Sequence, residues 1–443
     1  MKTSPWLNLP PLTLLLATLA SAPSTSSGAE TTLPPPNYDE SRVGSFSLPE
    51  ALRMVDGTPV QTAQEWSQKR RPEILELYRS HVFGRTPPIQ DPLLFKVLHT
   101  KEDALGGIAI RKRVLITLKD QPAWEGLEVL LYAPKKRSGP VPCFVGLNFM
   151  GNHSTTHETD LPISAQWLKS KLLNPAPPRK GEPESPEGTR GFQHSRWNPE
   201  EIIGAGYALA TAYYGDLELD FANGWKHGLR AALSPEGAQT EWKKDSWGAI
   251  GAWAWGLSRI LDFLVTTPEV DSKKCAVIGH SRLGKTALWT GAQDERFSIV
   301  ISNDSGEGGA ALMRRNFGET VEVITTRFPH WFAPHFKTYA RNETACPVDQ
   351  HLLIALCAPR PVAIGSAEED RWADPTGEFL SGLHASPVYT LLGKKGIETP
   401  EKPAPGAGAT GDRVSYHIRP GPHDINAEDW KQYLSFCKRH WTP

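Results

Sequence analysis

The stretch Cys275–Trp289, CAVIGHSRLGKTALW, decides the predicted fold. Its first four residues are continuously apolar, as expected for a strand that is buried on both faces. A helix is predicted to begin just after Ser281 and to run through Lys285 and Trp289. A serine on such a strand-to-helix turn is held out of the sheet toward solvent, where it can act as a nucleophile. On position alone, Ser281 could equally be the cap of that helix.

Similar apolar runs on either side of this stretch predict a sheet. They are separated by segments with helical spacing, which favours a mostly parallel α/β arrangement. The other predicted strands are Val141–Leu147, Tyr207–Tyr213, Ile299–Ser302, Pro361–Ile364 and Val414–Ile418. The other predicted helices are Trp247–Val265 and Ala427–Lys438. We therefore predict an α/β fold of the α/β-hydrolase type, a three-layer sandwich around a mostly parallel central sheet.

Composition excludes several classes of protein. The chain has 443 residues, of which 39% are hydrophobic and 22% are charged, so it can bury a large core. Its 48 Lys and Arg and 49 Asp and Glu give a net charge of -1, with no electrostatic footprint for nucleic acid. Beyond the first 22 residues, no apolar run is long enough for a membrane helix. The five cysteines fit no metal-binding spacing, although Cys346 and Cys357 could pair.

The N-terminus has the pattern of a signal peptide. Lys2 precedes a short apolar stretch and then small residues, so we assign residues 1–29 to a signal peptide and expect a secreted or periplasmic protein. Residues 30–40 are rich in Pro and Thr and are predicted to be a disordered lead-in. We predict one catalytic domain over residues 41–443, with Pro- and Gly-rich loop insertions near 174–190 and 399–412.

The residues after Ser281 could complete a catalytic triad. In the α/β-hydrolase chain order, an acid and then a histidine follow the nucleophile. His423 lies in the Pro- and Gly-rich loop after the last predicted strand, where the general base is expected. Asp304 ends the strand after the nucleophile helix, and Asp370 follows the next strand. Either carboxylate could orient the imidazole and stabilise its charged form.

Stabilising the transition state requires donors that are aimed at the developing negative charge. The backbone N–H of Arg282 is one candidate, and its guanidinium could add a positive charge. The loop Asn148–Asn152, after a predicted strand, occupies the place that supplies a second N–H in α/β-hydrolases.

Several segments together resemble one family. GHSRLGK at 279–285 and NDSG at 303–306 are similar to motifs of the glucuronoyl esterases, carbohydrate esterase family 15. The segments 196–216, 247–257, 315–321 and 370–375, together with His423, resemble the bacterial branch of that family. The resemblance extends over most of the predicted mature chain. It implies an α/β-hydrolase fold and hydrolysis of the esters that link 4-O-methyl-glucuronic acid of glucuronoxylan to lignin alcohols.

The resemblance also implies roles for individual residues. Ser281 would be the nucleophile, His423 the base, and Arg282 the oxyanion stabiliser. Lys285 and Glu319 would bind sugar hydroxyls, and Trp372 would lie near the sugar ring.

Two departures from the family motifs matter. His280 stands where many fungal members have Cys, and Asp304 replaces a glutamate. Bacterial members often place the acid where Asp370 lies, so we expect Asp370 to be the main acid with support from Asp304.

We therefore predict a serine carboxylesterase that acts on (4-O-methyl-)glucuronoyl esters through an acyl-enzyme. No metal or other cofactor, no nucleic acid and no integral membrane segment in the mature chain are expected, and we expect a monomer. Two alternatives are a carbohydrate deacetylase such as an acetyl-xylan esterase on the same fold, and a non-catalytic carbohydrate-binding protein.

Overall fold

A mixed sheet forms the centre of the computed structural model, which describes residues 33–89, 91–175, 181–234 and 242–441. Among these residues the sheet has ten strands in the order β1-β2-β3-β5-β4-β6-β7-β8-β10-β9. The strands are β1 Leu93–Asp103, β2 Ala109–Leu118, β3 Leu127–Pro134, β4 Val141–Asn148, β5 Ala208–Tyr213, β6 Val270–His280, β7 Ile299–Asn303, β8 Val362–Ala367, β9 Thr410–Gly411 and β10 Val414–Arg419. The run from β5 to β10 is parallel, whereas β1, β2, β3 and β9 pair antiparallel to their neighbours.

Helices and short helical turns connect these strands. The α-helices are α1 Ala63–Glu65, α2 Arg71–His81, α3 Ala104–Gly107, α4 Ala165–Leu173, α5 His194–Trp197, α6 Pro199–Gly204, α7 Leu229–Ala232, α8 Ala249–Val265, α9 Arg282–Gln293, α10 Val321–Arg327, α11 Gln350–Ala355, α12 Pro375–Leu391 and α13 Ala427–Trp441. None of the described helices is long and apolar enough to cross a membrane.

Each central strand contributes to two apolar cores, one on each face of the sheet. On β6, Val277 belongs to the core that includes α8 and α9, whereas Ala276 and Ile278 belong to the core that includes Trp430 of α13. Because side chains alternate between faces along a strand, both faces must be apolar, which explains the continuous apolar runs. The result is the three-layer α/β-hydrolase fold that the sequence predicts.

The predicted elements lie within a few residues of the observed ones. The six strands predicted from apolar runs correspond to β4, β5, β6, β7, β8 and β10, and the three predicted helices correspond to α8, α9 and α13. The parallel order brings the carboxyl ends of β6, β7, β8 and β10 to one edge of the sheet. Ser281, Asp304, Asp370 and His423 follow those four ends.

The N-terminal segment differs in part from the prediction. The predicted signal peptide, residues 1–29, lies outside the described residues. The last residues of the predicted disordered lead-in, however, are attached to the folded unit that spans residues 35–443. The carbonyl of Asn37 accepts the N–H of Gly318 at 2.8 Å, and Glu40 pairs with Arg315 at 2.8 Å. These contacts hold the segment in place, although its composition is that of a flexible chain.

Two further expectations can be compared with the structure. Of the predicted loop at 399–412, Thr410 and Gly411 form the short edge strand β9, and in the 174–190 segment Glu187–Thr189 form a turn of 3-10 helix. All five cysteines are buried and unpaired, so the pairing that was considered for Cys346 and Cys357 is not present.

Candidate active site

Ser281 lies on a sharp turn between β6 and α9. Its backbone angles, φ 58° and ψ -129°, are unusual for a residue with a side chain. The turn is fixed on both sides: the N–H of Ser281 donates to the carbonyl of Asn303 at 2.9 Å, and its carbonyl accepts the N–H of Gly284 at 2.8 Å. Strained backbone that is held in this way concentrates at functional sites.

Two glycines make the turn possible and explain its spacing. A Cβ on Gly279 would lie 1.9 Å from the carbonyl oxygen of Leu283. A Cβ on Gly284 would lie 2.9 Å from the Cβ of Ser305 and 3.1 Å from the carbonyl oxygen of Asn303. The second glycine is therefore needed three residues after Ser281, because α9 touches the end of β7 at that position.

His423 and Asp370 form a hydrogen-bonded pair next to this turn. The Nδ1 of His423 donates to the Oδ2 of Asp370 at 2.6 Å. The His423 side chain is 42% exposed and Asp370 is buried, so the imidazole is open to solvent while its partner is fixed. The geometry therefore gives Asp370 the orienting contact.

Asp304 lies close to this pair but is bound differently. One polar atom from each of Asp304, Asp370 and His423 lies within 4.8 Å of the others. Both carboxylate oxygens of Asp304 are buried with no hydrogen-bond partner among the described residues, and Arg419 is 3.7 Å away. Burial and the neighbouring carboxylates, Glu378 first, raise the pKa of Asp304 well above its ordinary value.

The guanidinium of Arg282 is held in an aromatic cage by a buried acid. Its Nη1 donates to Asp220, and its centre lies 4.8 Å from the ring of Trp331. Asp220 also accepts hydrogen bonds from His330 and Trp331, at 2.8 Å and 2.6 Å. Burial acts to raise the pKa of Asp220, but Arg282 and these donors hold it below its ordinary value.

Sequence reasoning did not single out Asp220, His330 or Trp331. Asp220 is 62 residues from Arg282 and 110 from His330, so no local spacing connects them. The Nε of Arg282 has no hydrogen-bond acceptor among the described residues. One donor of this guanidinium is therefore unused next to Ser281.

Two of the N–H groups in the loop after β4 are occupied. The N–H of Phe149 donates to Gln193 at 3.3 Å, and that of Gly151 donates to the side chain of Asn148 at 2.8 Å. Arg282 also supplies two candidate donors, its unused Nε–H and its backbone N–H, which as the first of α9 has no acceptor within the helix.

Lys285, Glu319 and Trp372 form a second cluster one helical turn from Ser281. Lys285 and Glu319 are buried with Nζ and Oε2 3.8 Å apart, which is too long for a direct hydrogen bond. The carboxylate of Glu319 accepts a hydrogen bond from the side chain of Trp372. The backbone N–H of Glu319 donates to the backbone carbonyl of Trp372 at 3.0 Å. Burial raises the pKa of Glu319 and lowers that of Lys285. The spacing leaves both groups able to bind a hydroxyl.

Arg282 also lines an open cleft of about 600 Å³. Its walls include Phe149, Phe192, Phe328 and Trp167, and it reaches Asp424, the residue after His423. Asp424 is fixed by Arg196 at 2.7 Å. The cleft therefore offers an aromatic surface next to the predicted base.

Comparison with known proteins identifies relatives of this chain. A family model described as "Glucuronyl esterase, fungi" matches residues 241–393. A carbohydrate esterase, MZ0003, from an unknown prokaryotic organism is 44% identical over 406 residues, 92% of each chain. The 4-O-methyl-glucuronoyl methylesterase 1 of Wolfiporia cocos is 37% identical over 156 residues, 33% of this chain and 38% of that protein.

A solved structure extends the likeness to the whole fold. The glucuronoyl esterase from Solibacter usitatus superimposes with a TM-score of 0.84 at 44% identity and covers 91% of this chain and 100% of its own. On these grounds, the chain belongs to the glucuronoyl esterases, carbohydrate esterase family 15.

Proposed function

We propose that this protein is a serine esterase that hydrolyses (4-O-methyl-)glucuronoyl esters. Ser281 Oγ attacks the ester carbonyl at C6 of the sugar and passes its proton to His423, which Asp370 orients. Arg282 stabilises the negatively charged oxygen. His423 then gives the proton to the departing alcohol. Water, activated by the same imidazole, releases the free uronic acid and restores Ser281.

The observation that carries this proposal is the pair of buried side chains Lys285 and Glu319, with Trp372 in contact with Glu319, one helical turn from Ser281. A simple acyl group such as acetate has no hydroxyls for these groups to bind. Lys285 donates to the carbonyl of Ser305 and Glu319 accepts from Trp372, but an ammonium has three N–H donors and a carboxylate has two acceptor oxygens. The 3.8 Å between Nζ and Oε2 therefore fits a ligand whose hydroxyls use the remaining donors and acceptors of both groups. A sugar acid meets this requirement, whereas the acetyl group of a deacetylase substrate does not.

The departing alcohol has a matching surface. The acid that protonates the alcohol is His423, so the alcohol must leave next to that residue. The aromatic cleft reaches Asp424 beside it, and Phe192 is 43% exposed there. These rings suit an aryl alcohol of the kind that lignin supplies.

The same proposal includes export and a monomeric enzyme. The residues 1–29 carry the signal-peptide pattern, so we propose a secreted or periplasmic enzyme whose partner is a lignin–carbohydrate ester of glucuronoxylan. Size-exclusion chromatography with light scattering on the mature chain tests the monomer, and N-terminal sequencing of exported protein tests the cleavage.

The test of function is a comparison of two substrates with two proteins. Benzyl glucuronate and acetylated xylan are incubated with the wild type and with Ser281→Ala. We expect the wild type to prefer the glucuronate and the variant to lose turnover while it still binds free glucuronate. Preference for acetylated xylan would indicate a deacetylase, and binding without any turnover in the wild type would indicate a carbohydrate-binding protein.

A further inference from the structure

Among the described residues, His423 makes one hydrogen bond and one contact with another ring. Nδ1 donates to Asp370 at 2.6 Å, and the imidazole packs on the ring of His280 with centroids 4.4 Å apart and an angle of 37° between the planes. A single hydrogen bond fixes one atom of a ring but leaves the ring free to swing about that atom. A second ring that lies against it limits this motion.

His280 is itself fixed by a chain of side chains that begins at the last helix. The hydroxyl of Tyr433 accepts from the Nδ2 of Asn303 at 2.9 Å. The Oδ1 of Asn303 is therefore the acceptor for His280, whose Nδ1 donates to it at 2.7 Å. The same Asn303 accepts the N–H of Ser281 through its backbone carbonyl at 2.9 Å. Asn303 thus connects the Ser281 turn with the His280 ring that packs against His423.

The surroundings of His280 keep it uncharged. It is only 5% exposed, and its Nε2 has no hydrogen-bond partner among the described residues. Burial lowers its pKa well below the ordinary value, and His423, Arg196 and Arg419 act in the same direction, while the bond to Asn303 opposes them. The two arginines are paired with Asp424 and Asp429. A neutral ring here allows His423 to become positively charged during turnover, which a charged neighbour would oppose.

We propose that His280 is a positioning residue: its ring, anchored through Asn303 and Tyr433, holds the imidazole of His423 in the plane that serves Ser281. This inference rests on the proposed roles of Ser281 and His423 and adds a residue that touches neither the substrate nor the reacting atoms. Its side chain acts only through His423. Loss of the ring should therefore lower kcat and leave KM nearly unchanged.

The test compares His280→Ala with His280→Phe, which keeps a flat ring but not the bond to Asn303. Active sites are counted by titration with a serine-directed phosphonate, so that kcat refers to folded enzyme. We expect His280→Ala to lose about 10- to 100-fold in kcat with KM within about twofold of the wild type. His280→Phe should recover only part of this loss, because the ring is present but is no longer anchored by Asn303, and the unpaired amide of Asn303 will make this variant less stable.

Other outcomes contradict the proposal. If His280→Ala keeps the wild-type kcat per titrated site, or if His280→Phe is as slow as His280→Ala, the ring does not position His423. If His280→Ala fails to fold, Tyr433→Phe takes its place: it removes the anchor of Asn303, and an unchanged kcat would overturn the inference. The wild type and Ser281→Ala are assayed in parallel, and absence of glucuronoyl esterase activity in the wild type, or its persistence in Ser281→Ala, would count against the proposed function instead.

Discussion

Two aspartates at the same edge of the sheet have different environments. Asp370 makes a 2.6 Å hydrogen bond to His423, whereas both carboxylate oxygens of Asp304 lack a donor among the described residues. A carboxylate that is buried without donors is more stable in its neutral form. The two aspartates, which are alternative triad acids on sequence alone, therefore differ in their hydrogen-bond partners more than in their distance from His423.

Asp370→Asn should reduce kcat by about 10³-fold, because the amide cannot stabilise the charged imidazole and favours the wrong tautomer. Asp304→Asn should reduce kcat less than about tenfold, because the carboxylate of Asp304 makes no hydrogen bond to His423 among the described residues. Steady-state kinetics on benzyl glucuronate measures both. Equal losses in the two variants would show that Asp304 shares the role of orienting His423.

Lys285→Met removes the charge of a buried side chain and keeps its length. We expect kcat/KM for benzyl glucuronate to fall about 10- to 100-fold, as for the loss of a charged hydrogen bond, because the sugar hydroxyls lose a donor. Hydrolysis of 4-nitrophenyl acetate, which has no sugar, should stay within about twofold of the wild type. A parallel loss on both substrates would indicate damage to the Ser281 turn rather than to sugar binding.

At the scale of elements, the contact between α9 and the end of β7 positions the nucleophile. A Cβ on Gly284, in the first turn of α9, would lie 3.1 Å from the carbonyl oxygen of Asn303 at the end of β7, and a Cβ on Gly279 would lie 1.9 Å from the carbonyl oxygen of Leu283. Strand β6, the Ser281 turn and helix α9 therefore form one unit. Gly279 and Gly284 are required because the backbone approaches closely at those two positions, and Ser281 takes the strained conformation.

Gly284→Ala places a Cβ 2.9 Å from the Cβ of Ser305, so the turn must shift. We expect a loss of about 1–3 kcal/mol in the free energy of unfolding and a lower kcat. Gly204→Ala is the matched control, because nothing lies within 4 Å of a Cβ at that position. Urea unfolding measures both variants, and equal stabilities for the two would contradict the close-packing argument.

The sequence predicted those elements whose signal is local. The apolar stripe of α8 and the strand–serine–helix pattern at 275–289 were both found as predicted. Strands β1, β2 and β3 were missed. Strand β1 is mostly exposed and β2 mixes Arg111, Lys112 and Arg113 with apolar residues, so neither forms a continuous apolar run. Strand β3 does contain such a run, residues 129–133, and could have been predicted. The cage around Arg282 was missed because its members are far apart in the chain.

At the scale of the whole molecule, buried histidines couple stability to pH. His351 on α11 is 2% exposed, and its Nε2 donates to the carbonyl of Pro49 at 2.8 Å, which attaches the N-terminal segment. Burial lowers the pKa of His351 to about 3. Between pH 6.5 and about 3 the unfolded state therefore binds one more proton than the folded state at this position, and stability falls as the pH falls.

His351→Gln keeps a donor for Pro49 but does not titrate. Between pH 7 and pH 5, the wild type should lose about 2 kcal/mol more unfolding free energy than the variant does. Burial also raises the pKa of Glu378 to about 7, which makes the free energy of unfolding rise as the pH falls. Because Glu378 is present in both proteins, its effect cancels and the comparison isolates His351. Urea unfolding of both proteins at pH 7 and pH 5 gives the four free energies. A difference in unfolding free energy between the two proteins that is the same at both pH values would contradict this linkage.

The proposed mechanism requires Ser281 to form an ester with the glucuronoyl group, and this intermediate can be trapped. The enzyme is mixed with benzyl glucuronate, quenched in acid within the first turnover and digested for peptide mass spectrometry. We expect a glucuronoyl adduct on the peptide that contains Ser281, and none in Ser281→Ala. Release of benzyl alcohol by the wild type with no adduct, or an adduct on another residue, would contradict the account.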